Sequence, residues 1–258
     1  MKLFKHLSLL VLCFSLVIFI NSCSDSSTDP GDPSPQEFNS QAAPGDSAHA
    51  YLAGDRYTNL QVEIDYMPGH EPTQEGLNSL QTFLEERLNK QNISFSSPSE
   101  INAESQSSYS SNDIRALEQE YRDNYTEPGD NTLHAYFLVV DGEYSQNSNV
   151  LGIAYWNTSV AFFGEAIEDV SSGIGAPSEQ KIEGTVFRHE FGHNMGLVGN
   201  GTPTQSDHKT DGSAHCTTDG CLMEPAVETG NFFTNTFDGS IPELGQLCID
   251  DLQANGGK

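Results

Sequence analysis

Basic residues are scarce in this chain. Its 258 residues hold 11 Lys and Arg against 37 Asp and Glu, a formal charge of −26. Phosphate backbones and anionic bilayers are gripped by lysine and arginine, so neither nucleic acid nor an anionic membrane surface is expected as a partner. The acid excess reads as a solvated surface suited to salty surroundings. Tryptophan occurs once, at Trp156. No internal repeat is visible, and no loop has strict EF-hand spacing, although abundant Asp, Asn and Gly leave calcium binding open. The sole long apolar run, Leu7 to Ile20, is too short for a comfortable membrane span.

That run follows Lys2 and Lys5, the pattern of a signal peptide over residues 1–22. It ends Ile20-Asn21-Ser22-Cys23, which resembles a bacterial lipoprotein cleavage box with Cys23 as the lipidated residue; a plain secretory signal is the alternative. Residues 23–54 are rich in Ser, Asp, Pro, Gly and Ala, with Phe38 and Tyr51 as the aromatics, and read as a lipidated flexible tether. Residues 55–258 suffice for one core and form a single domain. The expected location is the bacterial cell envelope, lipid-anchored, facing the periplasm or the surface.

Within the domain, alternation over Leu60 to Tyr66 predicts a strand with a buried face. Leu77, Leu80, Phe83, Leu84 and Leu88 recur at helical spacing within Gln74 to Lys90. A short strand near Ile93–Phe95, a helix from Asn112 to Tyr125, a central strand from Leu133 to Val140 and strands at Val150–Tyr155 and Val160–Phe163 follow. Ser178 is placed to cap a further helix, and Gly196 to end it with positive φ. The fold class is α+β: a mixed twisted sheet with two packed helices and an active-site helix, plus a small irregular C-terminal subdomain.

That last helix carries His189-Glu190-Phe191-Gly192-His193. Histidines four apart project from one helical face, one turn from each other, and can bind a single metal ion. Neutral imidazoles suit zinc, and the glutamate next to the first is placed as general base on a metal-bound water. An ordinary helix with two histidines is the bland alternative.

The chain continues to Gly196-Leu197, and later reads His215-Cys216, four residues, Cys221-Leu222-Met223. In these motifs it resembles the metzincin zinc peptidases, and among them the archaemetzincins, whose pattern is H-E-x-x-H-x-x-G-L-x-H-C, four residues, then C-x-M. The resemblance implies a metzincin-like fold and a zinc-dependent endopeptidase that hydrolyses peptide bonds through a zinc-bound water activated by Glu190. It implies that Met223 forms the Met-turn beneath the metal, and that the strand at Val150–Tyr155 is the edge pairing with an extended peptide. One departure stands out. The third histidine should fall at position 199, which is Gly199, and a Gly/Thr/Ser/Asp-rich insertion runs to about Ala214. His215 carries the following motif and stands ahead of His208 as the third zinc ligand. His70 and His134 have no cluster of their own.

With Cys13 in the signal and Cys23 lipidated, Cys216, Cys221 and Cys248 remain. In the family the corresponding cysteines build a second, structural zinc site completed by a later C-x-x-C pair. Here Asp251 stands where the fourth cysteine would be, so a zinc held by Cys216, Cys221, Cys248 and Asp251 competes with a disulfide. Outside the cytoplasm a Cys216–Cys221 or a Cys221–Cys248 disulfide is at least as expected, with Cys216–Cys221 preferred. The rival functions are a zinc hydrolase of a non-peptide or very restricted substrate, and a non-catalytic zinc-binding surface lipoprotein. The oligomeric state is not legible.

Overall fold

The computed structural model describes residues 37–104 and 106–258. The signal peptide, Cys23 and the tether up to residue 36 lie outside the described residues. In chain order the elements are α1 (Ala48–Leu52), β1 (Asn59–Tyr66), α2 (Gln74–Arg87), β2 (Asn92–Phe95), β3 (Ser99–Glu100), β4 (Ser108–Tyr109) and α3 (Ser111–Tyr121). They continue with β5 (Thr132–Val140), β6 (Glu143–Tyr144), β7 (Gly152–Trp156), β8 (Ser159–Phe163), α4 (Gly164–Ser171), α5 (Glu179–Asn194), α6 (Gly230–Asn235) and α7 (Gln246–Ala254).

The main sheet runs β2-β1-β5-β8-β7, with β3 also pairing β1. All its pairings are parallel except β7 on β8. A parallel strand covered on both faces needs an apolar run, and β5 supplies one: from Ala135 to Val140 every residue is buried. Antiparallel β7 needs no crossover; the link Asn157-Thr158 returns the chain directly and leaves β7 as the edge strand. This is the mixed twisted sheet expected for a metzincin-like fold.

The helix α2 begins where the Thr73 side chain accepts from the Gly76 N–H, and its buried Leu77, Leu80, Phe83 and Leu84 form one face. It packs chiefly against α5. In α5, Phe187 meets Phe137 of β5 and Phe162 of β8 at ring-centroid distances of 4.7 and 4.5 Å. These rings seat the helix on the sheet. Ser178 does occupy the N-cap, but its side chain makes no capping hydrogen bond. Neighbouring Tyr136 points to the opposite sheet face, where the buried Glu118–Arg122 pair of α3 (2.7 Å) also reaches Ser159 and the His134 carbonyl.

The tether boundary at residue 54 needs correction. Tyr51 and Leu52 of α1 are fully buried, and Phe38 sits edge-on to Tyr57. The Asn157 side chain accepts from Ala42 N–H and donates to the Asn39 carbonyl, both at 2.9 Å, while Thr158 Oγ1 donates to the Ser40 carbonyl. Residues 37–54 therefore belong to the folded unit. Their small polar composition concealed this because the hold is on their backbone, exerted by side chains of the distant β7–β8 turn.

After α5, Gly196 adopts φ 85°, a conformation only glycine takes without strain, and Leu197 N–H closes the helix end on the Gly192 carbonyl at 3.1 Å. The C-terminal subdomain beyond it is less irregular than its composition suggests, since it includes α6 and α7. Among the described residues no helix is long and apolar enough to cross a membrane.

Candidate metal centre

His189 and His193 lie one turn apart on α5, both buried, with their Nε2 atoms 3.2 Å apart. The turn after α5 sends the chain through the insertion and back, so that His215 stacks on the His189 ring at 5.3 Å and stands edge-on to His193 at 5.0 Å. Donor atoms of His189, His193, His215 and Glu228 all lie within 4.8 Å of one another. His189 Nδ1–H donates to the Leu222 carbonyl at 2.7 Å, which turns its Nε2 lone pair toward the group. Ser213 Oγ lies 3.2 Å from His215 Nδ1.

Met223 sits beneath this group. A Cβ on Gly192 would come within 2.5 Å of the Met223 sulfur, so only glycine at 192 lets the methionine close against the helix. Glu190 is buried beside the cleft lined by Ile153, Ala154, His193 and Glu228. Trp156, by contrast, packs on Tyr155 and beneath Arg115.

Burial keeps the His189 and His193 imidazoles neutral. Desolvation, then the neighbouring His193 and His215, hold the His189 imidazolium well below its usual range. Desolvation and His215 lower His193 to about 4. The Glu190 carboxyl is raised well above the usual carboxylate range, first by burial and then by the Glu228 charge. Neutral imidazoles are the metal-binding form. His215 Nε2 and Glu190 Oε1 are buried without a hydrogen-bond partner, as a ligand nitrogen and a waiting base would be. The nitrogen-rich donor set fits zinc.

His208 is not part of this group. It is buried against the cysteines, with Nε2 3.8 Å from Cys248 Sγ and 3.3 Å from Asp251 Oδ2. His208, Cys216 and Cys248 offer donors within 4.8 Å of one another, and Cys221 Sγ lies 3.6 Å from Cys248 Sγ. All three cysteines are thiols, contrary to the expected Cys216–Cys221 disulfide, and the neighbour of Cys221 is Cys248. Backbone pairing explains the arrangement: Lys209 bridges to Cys216, Thr217 N–H bonds the His208 carbonyl, and Cys221 bridges to Glu243 just before α7. The Cys248 contact lowers the Cys221 thiol to about 6 and raises its own. Asp251 accepts from Gln205 N–H at 2.6 Å and faces the His208 ring.

The sequence did not single out Glu228. It follows Met223 by five residues in an acid-rich chain, and no spacing rule marks it.

No curated protein matches the chain. Among solved structures it is similar to an archaemetzincin from Methanopyrus kandleri, at 15% identity and a TM-score of 0.49, over 78% of this chain and 96% of that one. Residues 77–198 match the family described as metallo-peptidase family M12B, reprolysin-like. That stretch runs from α2 to the end of the His189–His193 helix and stops before His215, Met223 and Glu228. Residues 77–198 are thus similar to a reprolysin-like metallopeptidase domain, and the His189–His193 pair falls near the end of the matched stretch.

Proposed function

We propose that this protein is a zinc-dependent endopeptidase whose catalytic metal is held by His189, His193 and His215. The observation that carries the reading is the convergence of three imidazoles, those of His189 and His193 buried and neutral and that of His215 partly buried, beside a buried, partnerless carboxyl oxygen of Glu190. Zinc at such a site supplies Lewis acidity toward a scissile carbonyl and acidifies a water molecule. Glu190, whose raised pKa a bound cation would bring back down, accepts the proton of the attacking water as a carboxylate and delivers it to the leaving amine. Ile153 and Ala154 of β7 line the same cleft, and β7 is the sheet edge, so an extended peptide can add as a further strand across the site. Met223 supports the histidines from below. Incubation with unfolded casein, with and without chelator, tests the activity: chelator-sensitive internal cleavage supports it, and an intact substrate with fully zinc-loaded protein refutes it.

A second zinc, at Cys216, Cys221, Cys248 and His208, is part of the same reading. Two thiolates on one tetrahedral zinc stand about 3.8 Å apart, given Zn–S bonds of ~2.3 Å, and the 3.6 Å between Cys221 and Cys248 fits. His208, from the insertion, takes the place that position 251 would hold as cysteine. Two equivalents of zinc with three thiols protected from alkylation are expected; one equivalent with alkylatable thiols overturns it. The lipid anchor at Cys23 and an envelope location complete the proposal: Cys23→Ala should leave the membrane fraction or remain unprocessed.

A further inference from the structure

We propose that Glu228 is a fourth protein ligand of the active-site metal in the substrate-free protein, so that substrate must displace a carboxylate to reach it. This rests on the zinc reading above.

The Glu228 carboxylate lies 3.4 Å from His215 Nε2 and 3.8 Å from His189 Nε2. Because His189 Nδ1–H is used on Leu222, its Nε2 presents a lone pair. A carboxylate oxygen and an imidazole lone pair are both acceptors and repel at this range unless a cation lies between them. The spacings suit one. Ligands on a tetrahedral zinc with bonds of ~2.0–2.1 Å stand about 3.3 Å apart. The observed 3.2, 3.4 and 3.8 Å bracket that figure.

The chain holds Glu228 there by its backbone. Leu151 N–H donates to the Glu228 carbonyl at 2.9 Å, Val150 bridges to Thr229, and Val227 is fully buried. The side chain itself stays a quarter exposed on the cleft side, so it can swing off without disturbing that anchor. Glu190 has the opposite construction, buried on a rigid helix. One carboxylate is therefore built to stay and the other to leave.

The test uses the full chain loaded with Co2+, whose visible absorption reports ligand number, with His215→Ala as the reference that removes the histidine centre. Glu228→Ala should change the histidine-centre spectrum. It should also weaken metal retention against a competing chelator by at least the roughly 10- to 100-fold that loss of a mere supporting contact costs. Glu228→Gln, which keeps the shape, guards against a folding defect and should shift in the same direction. A spectrum and chelator curve like wild type in both variants overturns the inference while leaving the zinc site standing. A wild-type spectrum that His215→Ala does not alter brings down the zinc reading and this inference together.

Discussion

Around His189, two of the converging donors come from a single turn of α5; around His208, the three come from the insertion, the loop after it and α7. Half of the first cluster is thus set by local helix geometry, and tertiary structure adds His215 and Glu228. The second exists only once three segments have been brought together by the Lys209–Cys216 and Cys221–Glu243 pairings. Their surroundings differ as well. The histidine group opens onto a cleft at the sheet edge, whereas His208 and the three cysteines are all sealed within the C-terminal subdomain. A site that must admit substrate is mounted on a rigid helix and left open on one side. Closure on all sides would suit a site that staples loops together.

The sharpest way to break this comparison is to exchange the fates of the two histidines outside the helix. His215→Ala should lose the catalytic metal and essentially all peptidase activity, while His208→Ala should keep both and lose only the second zinc equivalent. Zinc content at controlled free metal decides it, and the reverse pattern would exchange the two assignments. Next in size, Glu190→Gln should retain both metals yet lose at least ~10² in rate, because a general base contributes that much or more. Wild-type turnover in that variant would remove Glu190 from the chemistry.

Cys248→Ser acts on the closed site. It should release the second zinc and lower thermal stability, at about 2–4 °C for each kcal/mol lost in a domain of this size, with the histidine metal retained. An unchanged Tm would show that the cluster does not hold the subdomain together. The smallest effect concerns the support beneath α5. Buried Glu183, which accepts from Thr73 N–H at the start of α2, is raised from 4.5 to about 7, chiefly by desolvation. A carboxyl whose folded pKa is raised favours the folded state below about 4.5 and loses that contribution as pH rises through about 7, a change of roughly 3 kcal/mol at ~1.4 kcal/mol per unit. Glu183→Gln should abolish that fall. If the Tm difference between variant and wild type stays flat from pH 4.5 to 8, the shift is absent.

Several of these features could be read along the chain. The strand at Leu60–Tyr66 and the helix at Gln74 announced themselves by period, and Leu133–Val140 by its continuous apolar run. Residues 37–54 did not, because what holds them is Asn157 and Thr158, more than a hundred residues away. The disulfide expectation failed for a related reason. Nearness of Cys216 and Cys221 in sequence says little, once Cys221 is carried to Cys248 by its pairing with Glu243.

The sequence alone determined the His-Glu-x-x-His turn, since helical periodicity obliges residues four apart to share a face. It also determined the strand and helix pattern that seats that turn, since apolar periodicity decides which faces can be buried. Only tertiary structure placed His215 rather than His208 beside the helical pair, brought Glu228 to the imidazoles and gathered the cysteines. Those contacts join segments separated by flexible loops, whose closure costs so little more with length that spacing cannot rank them.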